Sequence, residues 1–213
     1  MNAKLIRVLL AEDHQVVREG LRALLAAEPD LEVIWEAADG LQAIRMAETL
    51  GPDVVVMDIG LPGLNGIEAT SRLHQSRPET RVVILSMHDD SPTVDRALRA
   101  GARGYVLKGD GFAALRDAIR HARAGEVSLS PGVCDLVVSG YLRAGGAEAD
   151  PLTSREREVL QLIAEGYTSA EIAGQLELKP KTVENHRQAI MEKLGIHTTA
   201  GLVRYALRTG VSR

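Results

Sequence analysis

The first 125 residues alternate short apolar runs with stretches of helical period. Residues 5–10, 31–37, 54–57, 82–85 and 105–107 read as five strands. Between them, Val17, Leu21, Leu24 and Leu25 recur at helical spacing, as do Leu41, Ile44 and Met46 to Ala47. Residues 65–76, 91–100 and 111–124 predict three further helices. Five such units, with strands apolar enough to be buried on both faces, imply an α/β, doubly wound, five-stranded parallel sheet with helices on each side.

The pattern changes after residue 125. Residues 126–150 read as a linker: Gly125, Gly132, Gly140, Gly145 and Gly146 interrupt the periodicity. One helix over 132–143 would carry Val133, Leu136, Val137 and Leu142 on its apolar side, and 144–151 has the composition of a flexible connector. Residues 151–213 then predict an all-α, four-helix domain. Thr153-Ser-Arg-Glu156 and Thr168-Ser-Ala-Glu171 are capping boxes. A turn at 177–180 leads into a helix over 180–194, with proline at its first position and Gly195 at its end. A last helix spans 198–208. Two short helices joined by a tight turn, the second polar outside, form a helix-turn-helix pattern.

Net charge is −4, divided into −6 over residues 1–150 and +2 over 151–213. The basic tendency of the second part is too weak to establish DNA binding alone. The chain is 45% apolar but only 3% aromatic, so aliphatic side chains must fill the cores. No apolar run is long enough to predict a membrane helix, and the N-terminus lacks the pattern of a secretory signal. The single cysteine, Cys134, can form no internal disulfide; a reduced, cytoplasmic location is expected and the thiol is read as inert.

Polar residues of the first domain fall at strand ends: Glu12 and Asp13 after the first, Asp58 after the third, Ser86 after the fourth, Lys108 after the fifth. Open parallel sheets bind ligands beyond the carboxyl ends of their strands. Three carboxylates at one pole repel one another, and a hard divalent cation such as Mg²⁺ resolves that repulsion. Asp58 would then attack a phosphoryl group, Lys108 would neutralise the phosphoryl oxygens, and the Ser86 hydroxyl would hydrogen-bond one of them. His14 and His88 flank this rim and are read as solvated loop residues.

Glu12-Asp13, the stretch 54–66 (Val-Val-Val-Met-Asp-Ile-Gly-Leu-Pro-Gly-Leu-Asn-Gly), Ser86 and Arg103-Gly-Tyr-Val-Leu-Lys108 resemble the receiver domains of two-component systems, over roughly 5–125. The resemblance implies a flavodoxin-like fold with Asp58 as phosphoacceptor. It implies Mg²⁺ held by Asp13, Asp58 and the backbone carbonyl of Gly60, with Glu12 acting through water. Ser86 and Tyr105 resemble the family's switch pair. Many receivers have proline after the active-site lysine, often with a cis bond; here Gly109 stands there. Enzymes that hydrolyse phosphoesters through an aspartyl-phosphate commonly carry a second acid two residues after the nucleophile. That position is Gly60, which argues against an enzyme.

Residues 151–207 resemble the DNA-binding domain of the LuxR/FixJ/NarL family, on Leu152 to Leu160, Ile163-Ala-Glu-Gly, Glu171-Ile-Ala, Lys181-Thr-Val-Glu-Asn-His and Lys193-Leu-Gly. The second helix is expected to read the major groove. Candidate contacts are Lys179, Lys181, Thr182, Glu184, Asn185, Arg187 and Gln188, with Lys193 for a phosphate; His186 is divided between a phosphate contact and burial. Leu202, Val203 and Ala206 are a candidate dimer surface. Together the resemblances imply a sensor histidine kinase as phosphoryl donor, double-stranded promoter DNA as target, a homodimer when phosphorylated, and RNA polymerase as a further candidate partner. The rival reading is an adaptor that binds DNA without phosphorylation and uses its receiver only to dimerise.

Overall fold

The structure is a computed structural model that describes residues 5–135, 137 and 151–212. The chain divides into two compact units, Met1–Gly145 and Gly146–Arg213.

In the first unit the order is β1 (Ile6–Ala11), α1 (Gln15–Ala26), β2 (Leu31–Ala37), α2 (Gly40–Leu50), β3 (Val54–Asp58), α3 (Gly66–Ser76), β4 (Arg81–Ser86), α4 (Ser91–Arg99), β5 (Gly104–Leu107), α5 (Gly111–Ala124) and β6 (Ser128–Leu129). All strands pair in parallel, in the order β2-β1-β3-β4-β5-β6. Alternate residues of each strand feed different cores. Leu9, Val55, Met57, Ile84 and Tyr105 pack with Ile44 of α2, Leu73 of α3 and Val94 of α4. Val8, Leu10, Val56, Val83 and Val106 pack with Leu25 of α1 and with Leu115 and Ile119 of α5. The period-two alternation of a strand thus covers both sheet faces, which is why the middles of β1, β3, β4 and β5 are apolar on both sides, while the edge strand β2 carries the exposed Glu32 and the half-buried Glu36.

The sheet has one strand more than the five expected. β6 lies beside β5, with Ser128 opposite Gly104 and Leu129 opposite Tyr105. Two residues are too few for a strand period to show in a sequence. The chain then turns into helix over 131–135, whose Val133 is buried in the first core. Leu136, Leu142 and the expected connector up to residue 150 lie outside the described residues.

The second unit holds α6 (Ser154–Ala164), α7 (Ser169–Gln175), α8 (Pro180–Leu194) and α9 (Thr199–Arg208). Both expected capping boxes are present: Thr153 and Thr168 accept from the N–H groups of Glu156 and Glu171, whose carboxylates return to the threonine N–H groups. Each cap contributes about 1 kcal/mol to its helix start. α8 ends where Gly195 takes a left-handed φ of 63°, accessible to glycine without a Cβ clash. Val159, Leu160, Ile163, Ile172, Val183, Ile190 and Leu202 form the core.

The candidate dimer surface needs correcting. Leu202 and Ala206 are fully buried in the unit's own core, because their side of α9 packs on α6. These two offer no surface to a second copy; Val203 is half-buried, and Leu207 is exposed.

Candidate phosphoacceptor site and nucleic-acid interface

The sheet order reverses between β2-β1 and β3-β4, and the carboxyl ends of β1 and β3 face the crevice this creates. Glu12 follows β1 and Asp58 ends β3; they are 0% and 3% exposed. Lys108, just past β5, meets both, with Nζ 2.8 Å from Glu12 Oε2 and 3.2 Å from Asp58 Oδ1. Two nearly buried carboxylates thus share one ammonium in a region of weak screening. Asp13 is partly exposed beside them, and Gly60 lies half-buried in the loop after β3. Arg18 fixes the β1–α1 loop, donating to the carbonyls of Glu12 at 2.6 Å and Asp13 at 3.3 Å. The Lys108–Gly109 bond is trans, like every described peptide bond.

Sequence reasoning undervalued both histidines of the rim. His14 is 60% exposed at its side chain, yet its Nδ1 lies 3.2 Å from Glu12 Oε1 and 3.1 Å from Asp13 Oδ1. Glu12, Asp13 and His14 bring ligand atoms within 4.8 Å of one another. The signal was its place directly after Glu-Asp. His88 matters through its backbone. Its N–H donates to Ser86 Oγ at 2.9 Å, and its carbonyl accepts from the Tyr105 hydroxyl at 2.7 Å. Ser86 and Tyr105 therefore hold the two sides of one residue.

Tyr105 is fully buried. Burial pushes its phenol up to about 12, the Ser86 hydroxyl opposing part of that rise. A free phenol titrates near 10. Above that pH the unfolded chain releases the proton first, so this contribution is intact below pH ~10 and is lost as pH rises through about 12. The Tyr105→Phe variant should lack that loss, on the order of 2–3 kcal/mol, in denaturant titrations between those limits. Phenolate absorbance should show one fewer late-titrating tyrosine. A wild-type chain with every tyrosine ionising near pH 10 would contradict the burial.

On α8, Lys181, Glu184, Asn185 and Gln188 are exposed, spaced i, i+3, i+4, i+7 along one face. With Arg187 and Met191 they line an open hollow. Thr182, His186 and Arg187 are half-buried. Arg187 reaches Thr199 Oγ1 at 3.4 Å, and Gln188 donates to Glu192 at 3.0 Å. Lys179 occupies the N-cap but makes no side-chain cap bond, leaving its charge exposed near the free N–H groups of the helix start. Lys193 lies apart from this face, its Nζ 2.7 Å from Glu156 Oε2. No helix among the described residues is long and apolar enough to cross a membrane.

Residues 8–120 match the response regulator receiver domain family, and residues 150–206 match the bacterial regulatory proteins of the luxR family. The transcriptional regulatory protein LiaR of Bacillus subtilis (strain 168) is 42% identical, over 96% of this chain and 98% of LiaR. The oxygen regulatory protein NreC of Staphylococcus carnosus (strain TM300) is 38% identical, over 95% of this chain and 97% of NreC. Among solved structures, RcsB from Salmonella enterica serovar Typhimurium, bound to promoter rprA in the presence of phosphomimetic BeF3⁻, superposes with a TM-score of 0.68. It is 27% identical and covers 95% of this chain and 98% of RcsB. A parallel α/β receiver carrying an acidic crevice, joined to a helix-turn-helix unit, defines a transcription-regulating response regulator of a two-component system. Within that class this chain belongs to the LuxR family of response regulators.

Proposed function

We propose that Asp58 accepts a phosphoryl group from a sensor histidine kinase in a Mg²⁺-dependent reaction, and that this controls binding of α8 to promoter DNA. The observation that carries the reading is the meeting of Glu12, Asp58 and Lys108 at one sheet edge, from three separate strand ends. The donor set suits a hard cation: carboxylate oxygens of Asp13 and Asp58 and the carbonyl of Gly60, with Glu12 acting through water. When bound, Mg²⁺ supplies neutralising charge to phosphoryl oxygens.

An Asp58 oxygen attacks phosphorus on the donor's phosphohistidine. The O–P bond forms, the N–P bond breaks, and the imidazole leaves with the electron pair and takes a proton from solvent. The Lys108 ammonium stabilises the equatorial oxygens. Ser86 then turns its hydroxyl toward a phosphoryl oxygen and releases the N–H of His88. Tyr105 holds the other side of His88, so the β4–α4 loop and Tyr105 respond together.

In the second unit Lys181, Thr182, Glu184, Asn185, Arg187 and Gln188 face the major groove, and Lys179 faces phosphate at the helix start. The protein acts in the cytoplasm, as a dimer on paired half-sites when phosphorylated; contact with RNA polymerase follows promoter binding. The test is labelling of the full chain by acetyl phosphate. Uptake should require Mg²⁺, stop with EDTA, and yield a hydroxylamine-labile acyl phosphate. Promoter binding without any labelling would favour the phosphorylation-independent adaptor.

A further inference from the structure

The first turn of α6 grips both helices of the helix-turn-helix. Arg155 donates to Glu158 at 2.6 Å and to the carbonyl of Leu176, the C-cap of α7, at 2.7 Å. One residue on, Glu156 Oε2 accepts three hydrogen bonds: from the Thr153 N–H at 2.7 Å, the Thr153 hydroxyl at 3.0 Å, and Lys193 Nζ at 2.7 Å. Lys193 belongs to the last turn of α8. A single carboxylate oxygen thus joins the start of the scaffold helix to the end of the recognition helix, 37 residues away.

We propose that Lys193 is a positioning residue: held by Glu156, it sets the tilt of α8 in the groove and does not neutralise a DNA phosphate. The inference rests on the reading of α8 as the recognition helix. Glu156 is buried, and burial would raise its pKa; Lys193 and Thr153 outweigh that and hold the carboxyl below the usual range. A lysine that swung to a phosphate would leave this buried carboxylate without a cation. Breaking a buried charge pair by removing one partner is far costlier than losing an exposed one. A phosphate contact would have to offset that penalty as well as the lost carboxylate contact before Lys193 left Glu156. α7 has its own tie through Arg155, so loss of the Lys193 tie frees one end of α8 while the turn stays anchored.

Two labelled duplexes test this on the full chain, with acetyl phosphate and Mg²⁺ present throughout. One is enriched by the wild-type chain from a random-sequence pool; the other is of random sequence. The readouts are the ratio of the two affinities and the slope of log affinity against log salt on the random duplex. Glu156→Gln should lower the ratio about tenfold, the worth of one mis-set base contact, without a steeper slope. Lys193→Met should lower the ratio by the same factor, and the double variant no further, because both substitutions break one tie.

Several outcomes overturn the proposal. Tighter binding of Glu156→Gln to both duplexes, with a slope steeper by about 0.9, would mean a released lysine that contacts phosphate. Equal weakening of both duplexes by Lys193→Met, with a slope shallower by about 0.9, would mean the same. An unchanged ratio, or parallel losses that track the folded fraction, would leave the pair a structural contact only. If Glu156→Gln does not fold, the affinity ratio and salt slope of Lys193→Met, corrected for its folded fraction, decide alone. A wild-type chain that enriches no duplex would sink the DNA-binding reading, and the clamp with it.

Discussion

Asp58→Asn is expected to take up no phosphoryl label from acetyl phosphate while melting at or above the wild-type temperature in Mg²⁺-free buffer. The loss of label follows because an amide cannot act as the attacking oxygen. The stability follows from counting charges. Glu12 and Asp58 are nearly buried and share the single ammonium of Lys108. Two like charges at one buried site repel, and their attraction to one cation is divided. Asparagine keeps the shape and removes one negative charge, so Glu12 and Lys108 remain as a neutral pair. Mg²⁺ should raise the wild-type melting temperature by binding the folded state, and raise that of the variant less. Normal stoichiometric labelling of the variant would place the phosphoacceptor elsewhere. A variant that fails to fold would make Asp58 a structural residue first.

That the carboxylates and the lysine would lie at one edge was legible, because strand ends of a parallel sheet share a side by construction. Each run of apolar residues ended in a polar one, and the topology does the rest. The capping boxes were equally plain, since the pattern and the hydrogen bonds are both local. What escaped was short or reciprocal. β6 is two residues long and depends on β5 for its existence. His88 works through its N–H and carbonyl, so no side-chain chemistry announced it. Lys193 was a phosphate candidate by its position in the resemblance, and its ion pair with Glu156 gave no signal because Glu156 had already been assigned to a helix start. A residue with two roles shows only the local one in a sequence. The apolar stripe of α9 could equally face a core or a partner; only packing on α6 decides that Leu202 and Ala206 are spent internally.

The fold holds Asp58 in place from behind, and Gly66→Ala is expected to show how tightly. Gly66 is the first residue of α3; its N–H donates to the carbonyl of Ile59 at 2.9 Å. A Cβ added there would land on the backbone carbonyl oxygen of Asp58 and lie 2.9 Å from Met57 Cγ. Neither obstacle can move cheaply: the first is main chain at the end of β3, and Met57 is fully buried in the core. Asn65, capping α3 by accepting from Glu68 N–H at 3.0 Å, pins the helix start from the other side. The alanine variant should lose about 3 kcal/mol or more, through forced backbone displacement in a packed site. Gly63→Ala is the internal control. Gly63 has a φ of 72° but open space around it, so its variant should lose only about 1–2 kcal/mol of left-handed strain. The chain has one tryptophan, Trp35 on β2, so urea unfolding followed by its fluorescence reports the first unit alone. Whatever fraction of Gly66→Ala folds should label slowly, because relief of the clash displaces the end of β3 and with it Asp58. If both variants lose the same stability and label at the wild-type rate, the start of α3 does not determine where Asp58 sits.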